Sequence, residues 1–379
     1  MTPLPPSRNR RPIRAAARGM TLIEVTVAVG LSVGVLAAVG VAYTSQRMSQ
    51  RYGTELAQVQ GNGRIALDAI GRDIRQAGFV GCNSALQRFD DPRVLETAVV
   101  PEIVNGLAGG FTISARNAIR ALRGDNTTYP WWTAAKPEKV VGNSHVIEIR
   151  YASLEGATRM SGGLQNAGQR IPTMGTFEPS RGDDDTTAGN RLGLLSDCQS
   201  ALVVSVASVA AGQVNLVDTE KIGTVPCAHV SRVGSDCIYW PSATLYPIRV
   251  VQYYVAEFGT EAAPDRRLMV RKRIMSHDGA TWNVPQEVMR GVNRLRVTGI
   301  GFDTTGTADP TFRVSSSLEE SSDTDLLTTV PAADWARVVR LDLRLQMQAS
   351  KGKQAGDAPV IRNFESSYTV RSRTATDPT

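Results

Sequence analysis

The sequence predicts an α+β protein in which one long N-terminal helix packs on an antiparallel β-sheet. Residues 22–43 form an almost unbroken apolar run of the length that a membrane helix needs. Residues 44–78 are more polar, but their apolar positions recur three and four apart, as in an amphipathic helix. Beyond residue 82 the apolar period shifts towards two, which is typical of half-buried strands. We therefore divide the chain into a leader, the apolar and amphipathic halves of one helix, and a β-rich globular domain: residues 1–19, 20–43, 44–78 and 79–379.

The charge of the chain is concentrated in the leader. The 379 residues carry a formal net charge of +6. The leader contributes +5 of this, because it has five arginines and no acidic residue, and 6 − 5 leaves +1 for the rest. A nucleic-acid surface needs basic residues clustered on the folded domain, so we expect no nucleic-acid partner. The arginines are Arg8, Arg10, Arg11, Arg14 and Arg18.

The apolar run is predicted to span a membrane, with the arginines before it on the cytoplasmic side and the globular domain facing outward. One residue interrupts its apolar character: Glu24, close to the start. A carboxylate at the centre of a membrane helix costs roughly 2.5–3.5 kcal/mol on insertion scales, so such a residue is by default functional. The alternatives are a conventional signal peptide, cut after the small residues 40–42, and a simple signal anchor. Neither gives a reason for Glu24.

Glycines mark two places on the predicted helix. Gly30 and Gly34 form a Gly-xxx-Gly pair, which allows close approach of a neighbouring membrane helix, although ordinary glycine content explains it equally well. In the amphipathic half, each interior glycine costs about 1 kcal/mol relative to alanine. We expect a kink or local melting at residues 61–63, which read Gly-Asn-Gly, and a helix end at Gly78.

The outer domain is predicted to be an antiparallel sheet with turn-rich connections. Residues 338–345 alternate apolar and charged side chains, the pattern of a strand with one buried face. Residues 246–256 are more continuously apolar, which indicates a central strand. The predicted strands cover residues 144–152, 200–208, 212–218, 247–257, 266–275, 287–303, 335–349 and 361–372.

The four cysteines all follow the apolar run, which suggests two disulfides in an exported domain. We assign Cys227–Cys237 as one bridge because it closes a short loop, and Cys82–Cys198 follows by elimination. Four buried free thiols are the alternative. A metal site built from three of these cysteines and His229 is less favoured, because the spacing has no CxxC or HxxxH character.

The chain has no Walker A loop and no HExxH, and its one Gly-x-Ser-x-Gly run, residues 30–34, lies within the predicted membrane helix and not at the strand-to-helix turn of a nucleophile elbow. The three histidines lie in separate segments, so we expect neither an enzyme nor a cofactor or metal. Residues 183–185, three consecutive aspartates, could supply oxygen ligands to calcium, but their spacing is not that of an EF-hand.

The residues around Glu24 resemble a known processing signal. Residues 18–25, Arg-Gly-Met-Thr-Leu-Ile-Glu-Val, resemble the cleavage motif of type IV prepilins and type II secretion pseudopilins. The resemblance implies cleavage after Gly19 by a prepilin peptidase and N-methylation of Met20. Glu24 is then the fifth mature residue, and it would pair with the N-terminal amine of a neighbouring subunit. The sequence departs from the pattern at Met20, where phenylalanine is usual.

More extended runs resemble the PilW group of minor pilins. Residues 60–67 and 72–82 are similar to that group's "ENGRFAL" and "RDLRQAGYxGC" pattern. Residues 288–297 resemble an "LVEGVENLRV" segment, residues 335–341 a late "WARVRAV" strand, and residues 363–371 the C-terminal strand. The resemblance reaches both ends of the chain but carries little across its middle.

The resemblance implies a type IV pilin-like fold and a structural role. A PilW-type minor pilin joins other minor pilins and the major pilin, takes part in priming pilus assembly, and remains at or near the tip of a fibre used in adhesion and twitching motility. A large tip adhesin is a further implied partner. The implied location is the bacterial inner membrane, with the domain in the periplasm, and then the pilus. The alternatives are a J-class minor pseudopilin of type II secretion and an exported adhesin with a pilin-like anchor.

Overall fold

The computed structural model consists of one long helix followed by antiparallel β-strands. The structure describes residues 20–79, 81, 118–124, 139–166, 169–179, 191–196, 201–217, 232–233, 236–237, 243–260, 263–276, 279–282, 285–302, 312–314, 335, 338–348 and 360–370.

The helix α1 spans Leu22–Gln76, 55 residues, and at 1.5 Å per residue it is about 80 Å long. Thr21 precedes it in an extended conformation. Gly78 lies just beyond it with φ 70°, the left-handed conformation that terminates helices, so the predicted end at Gly78 is confirmed. The local melting expected at residues 61–63 is not observed, because the helix continues through them.

The described strands number eighteen, and every pair among them is antiparallel. In chain order they are β1 (Ile119–Arg123), β2 (Lys139–Val140), β3 (His145–Ala152), β4 (Thr158–Arg159), β5 (Arg170–Pro172), β6 (Arg191–Ser196), β7 (Ala201–Ala210), β8 (Gln213–Leu216), β9 (Arg232–Val233), β10 (Asp236–Cys237), β11 (Thr244–Thr260), β12 (Ala263–Ser276), β13 (Gly279–Trp282), β14 (Gln286–Arg290), β15 (Val292–Phe302), β16 (Phe312–Val314), β17 (Val338–Gln348) and β18 (Ile361–Thr369).

These strands form two main sheets. The larger has twelve strands, eight of them in the order β1-β3-β11-β12-β6-β7-β8-β5. Of the other four, β2 and β4 pair with β11, and β13 and β14 pair with β12. The smaller has the order β16-β15-β17-β18. The strands β9 and β10 form a separate ribbon. The prediction of one helix packed on antiparallel sheet is thus confirmed at this coarse level, with two sheets in place of one.

The chain passes from the larger sheet to the smaller one at Gly291. The sequence predicted one strand over residues 287–303, and this prediction is wrong. Gly291 has φ 73°, a conformation that side-chain-bearing residues rarely adopt, and it separates β14 from β15. Its N–H donates to the carbonyl of Arg266 at 3.0 Å, and its own carbonyl accepts from the N–H of Gln348 at 2.8 Å.

The main hydrophobic core joins the amphipathic half of α1 to both sheets. Its helix members include Ala66, Ile70 and Ile74, all fully buried. They share one cluster with apolar residues of β3 and β11 from the larger sheet and of β15 and β17 from the smaller one. Burying one large aliphatic side chain contributes about 1.5–3 kcal/mol, so this stripe accounts for the docking of the amphipathic half.

Candidate site on the N-terminal helix

The apolar half of α1 extends away from the globular body. Every residue from Met20 to Arg51 is exposed, and Val59 is the first buried residue of the helix. Among the described residues, α1 is the one helix long and apolar enough to cross a membrane. Nothing among the described residues covers this apolar run, which is compatible with an apolar environment outside the body.

Three hydroxyl groups within or directly after the apolar half are bonded within the helix. Thr26 Oγ1 donates to the carbonyl of Ile23 at 2.9 Å, and Ser32 Oγ donates to that of Ala28 at 2.7 Å. Thr44 Oγ1 donates to the carbonyls of Val41 and Gly40 at 2.9 and 3.1 Å. These bonds lower the cost of placing the hydroxyls in a hydrocarbon layer. They leave the charged carboxylate of Glu24 as the polar group that an apolar environment penalises most.

Glu24 lies in the first turn of α1, at the end of the helix farthest from the body. Its backbone N–H donates to the carbonyl of Thr21 at 3.1 Å, which secures that turn. Met20 lies just before the helix and is 67% exposed. The two predicted assembly residues therefore share the free end of α1, whereas the predicted cleavage residue Gly19 lies outside the described residues.

Gly30 and Gly34 are open on the helix surface. A Cβ atom added at either position would meet nothing within 4 Å. The described residues therefore supply no partner for this surface. The role of the two glycines in helix packing stays a prediction.

Two other glycines of α1 have partners that the sequence did not indicate. A Cβ atom on Gly63 would lie 2.6 Å from the ring of Phe364, and one on Gly71 would clash with the ring of Tyr368. The Tyr368 hydroxyl donates to the carbonyl of Leu67 at 2.7 Å. The two aromatic rings of β18 thus lie directly against the helix backbone, which requires glycine at both positions.

Asp73 binds the C-terminal end of α1 to the larger sheet. Its carboxylate accepts hydrogen bonds from Tyr253 Oη at 2.6 Å and from Tyr151 Oη at 3.3 Å. Burial and the neighbouring carboxylate of Asp73 raise the pKa of Tyr253 well above its usual value, so the phenol stays protonated and can donate. The Gly78 N–H adds a bond to the carbonyl of Arg150 at 2.8 Å.

A buried polar network lies within the larger sheet, around Glu148. Its carboxylate accepts from Arg150 at 2.6 Å, from Arg120 at 2.8 Å and from the Gln252 amide at 2.5 Å. Burial alone would raise the pKa of Glu148, but Arg150 and Arg120 outweigh it and lower the pKa to about 2. Gln252 in turn accepts from Arg271, whose guanidinium stacks on Tyr254. This network joins β1, β3, β11 and β12 and has a structural role.

The remaining candidates for chemistry are located as follows. The described residues contain no group of three or more potential metal ligands. His145 is buried and accepts a hydrogen bond at Nδ1 from the Val297 N–H at 2.9 Å, a contact between the two sheets. Outside the described residues lie His229, His277, the aspartates 183–185 and the predicted pairing Cys82–Cys198. The predicted bridge Cys227–Cys237 is also outside them, except that the backbone of Cys237 lies in β10.

Comparison with protein-family profiles, with curated proteins and with solved structures finds no match for this chain. Its class therefore follows from its own architecture: a protein with one long N-terminal helix, apolar in its exposed half and docked by its other half on antiparallel sheets. The apolar half is compatible with anchoring in a membrane.

Proposed function

We propose that this chain is a PilW-type minor pilin, cut after Gly19 and held in the inner membrane by the exposed half of α1 until it enters a pilus. The observation that carries the proposal is Glu24. It is the one charged residue between Met20 and Gln46, and it lies on a helix end whose residues are all exposed. The resemblance of residues 18–25 to the prepilin motif supports the same assignment.

The assembly chemistry follows from the position of Glu24. In an apolar layer its carboxylate needs a cationic partner, because an isolated buried charge is far more costly than a pair. Cleavage after Gly19 creates such a cation, the amine of Met20. Each subunit then presents one carboxylate and one amine at the same helix end, so a neighbour displaced along the fibre axis can provide the partner group.

The body supplies the part of the subunit that other pilins recognise. The docking of residues 59–77 on both sheets keeps the body in a fixed orientation relative to the anchor. We place the other minor pilins and the major pilin as its partners and the prepilin peptidase as its processing enzyme. Its proposed role is to take part in priming pilus assembly, at or near the tip.

Substitution of Glu24 tests the proposal. Glu24→Ala in the full chain, expressed with the companion minor pilins, should be cleaved normally but enter sheared fibres poorly. Glu55→Ala is the matched control, because Glu55 lies on the same helix beyond the apolar run. Normal incorporation of Glu24→Ala, or an equal defect in both variants, would count against the pairing role of Glu24.

A further inference from the structure

The outward end of the apolar run carries an aromatic and basic group. Tyr43 is 57% exposed, and the Arg47 guanidinium lies 5.5 Å from the centre of its ring. Arg51 follows one further turn along, so the three side chains lie four residues apart on one face of α1. Aromatic and basic side chains at the end of an apolar span are typical of residues at the membrane surface.

The stretch of α1 around the two arginines is poor in carboxylates, and the nearest one along the helix is Glu55, one turn beyond Arg51. The sequence contains no acidic residue between Glu24 and Glu55. Within the described residues neither Arg47 nor Arg51 forms an ion pair, whereas Asp68 farther along the helix lies 3.6 Å from Arg72 and 3.6 Å from Arg75. Two exposed guanidinium groups on this stretch are thus available to anions from outside the chain.

Their distance from Glu24 matches the thickness of a bilayer. Arg47 follows Glu24 by 47 − 24 = 23 residues, or about 34 Å of helix. The hydrocarbon core of a bilayer is about 30 Å thick. A helix with Glu24 just inside one boundary of the apolar layer therefore has Arg47 in the opposite headgroup layer.

We propose that Tyr43, Arg47 and Arg51 bind the phosphate groups of anionic lipids at the outward surface of the membrane and thereby set the depth of the helix. The proposal deepens the anchoring role above and rests on it. A guanidinium donates two parallel hydrogen bonds to phosphate, and the Tyr43 ring occupies the headgroup region beside it. Val59, the first buried residue, comes 59 − 47 = 12 residues later, so the body stands about 18 Å beyond the lipid surface.

Lipid selectivity measured by electron spin resonance tests this contact. The full chain is reconstituted in phosphatidylcholine vesicles, and spin-labelled phosphatidylglycerol is compared with spin-labelled phosphatidylcholine at the protein boundary. The double variant Arg47→Gln, Arg51→Gln is compared with Arg64→Gln, Arg72→Gln, which removes two exposed arginines of the same helix beyond the membrane. The leader arginines are the same in every variant, so they do not contribute to the difference.

We expect the preference for phosphatidylglycerol to fall by up to about five-fold for each arginine removed at 47 and 51, and to stay at the wild-type value in the control. Added salt should weaken the wild-type preference and leave that of the double variant almost unchanged. Equal preferences in the wild type and the Arg47, Arg51 variant, with both chains inserted, would overturn the lipid contact and leave the proposed function standing. A chain that fails to float with the vesicles at all would overturn both.

Discussion

The hydroxyl group of Tyr253 lies 2.6 Å from the carboxylate of Asp73, across 180 residues of sequence. This bond joins the last turns of α1 to β11, a central strand of the larger sheet. Together with the hydrogen bond from Tyr151, it adds a polar contact to the otherwise apolar interface between the docked end of the helix and the sheet. The direction in which the apolar half of α1 extends from the body depends on this attachment.

Removal of the acceptor at residue 73 should weaken that attachment. Asp73→Asn replaces the charged carboxylate, which accepts a hydrogen bond from each phenol, with an amide that has a single neutral oxygen. Hydrogen bonds to charged groups contribute about 1.5–3 kcal/mol. We expect a loss of roughly 2 kcal/mol in the free energy of unfolding, measured by urea titration with tryptophan fluorescence, to which the buried Trp335 contributes. Asp68→Asn is the control, since its side chain is 64% exposed and exposed pairs contribute about 0–1 kcal/mol. Equal losses in both variants would contradict the role of Asp73.

The contact between Gly71 and Tyr368 should tolerate no added methyl group. Gly71→Ala places a Cβ atom into the tyrosine ring and should cost about 1–3 kcal/mol through overpacking. Gly53→Ala is the matched control on the same helix, where a Cβ atom meets nothing within 4 Å. Thermal unfolding should show a lower midpoint for Gly71→Ala only. An unchanged midpoint would mean that the ring does not lie against the helix backbone.

The transition between the sheets should be sensitive to substitution at Gly291. A side chain in the left-handed region costs roughly 1–2 kcal/mol, and a Cβ atom here would also lie 3.1 Å from the carbonyl oxygen of Gln348. Gly291→Ala should therefore unfold at a lower urea concentration than the wild type. Gly142→Ala, in a loop with open space around it, should not. The prediction fails if the two variants have the same midpoint.

The Glu148 network predicts a specific acid dependence of stability. The pKa of Glu148 is lowered from 4.5 to about 2 in the folded protein. Because the pKa is lower in the folded than in the unfolded protein, the ionised carboxylate stabilises the fold at pH values above about 4.5. This contribution is lost as the pH falls from about 4.5 to about 2. Its size is on the order of 3 kcal/mol.

Glu148→Gln should remove this acid dependence. It should also destabilise the protein by about 3–5 kcal/mol at neutral pH, because Arg150 keeps its buried charge without a carboxylate. Urea unfolding at pH 7 measures the destabilisation, and urea unfolding between pH 5 and pH 2 measures the acid dependence. Glu365→Gln, whose carboxylate is 58% exposed beside Arg344, serves as the control. A wild-type acid profile in Glu148→Gln would contradict the assignment.

Local patterns in the sequence predicted much of the fold. Alternation identified β17, where Leu341, Leu343 and Leu345 are fully buried, and the continuous apolar run identified β11. The break at Gly291 was missed because a single glycine does not interrupt the alternating pattern, so residues 287–303 were predicted as one strand. The strands β1 and β6 were missed because each is only five or six residues long, too short for a clear period.

The site was predictable only in part, for a physical reason. Glu24 was identified because a charge in an apolar run is costly wherever the chain folds. The interior glycines of the amphipathic half were interpreted as costly to the helix, with residues 61–63 as its weak point, because no local pattern indicates that Phe364 and Tyr368 lie above Gly63 and Gly71. The phenols that bind Asp73, and the Arg120 and Gln252 side chains that bind Glu148, likewise come from distant strands. Such contacts depend on the tertiary fold and leave no periodic signal.

The intact mass and N-terminal sequence of the protein isolated from membranes, with and without prepilin peptidase, test the central claim most directly. The account predicts a peptidase-dependent chain that begins at Met20 and carries one methyl group on its amine, so that Glu24 is the fifth residue. An uncut chain, or one that begins after Ala42, would contradict it and leave an ordinary anchored or exported domain.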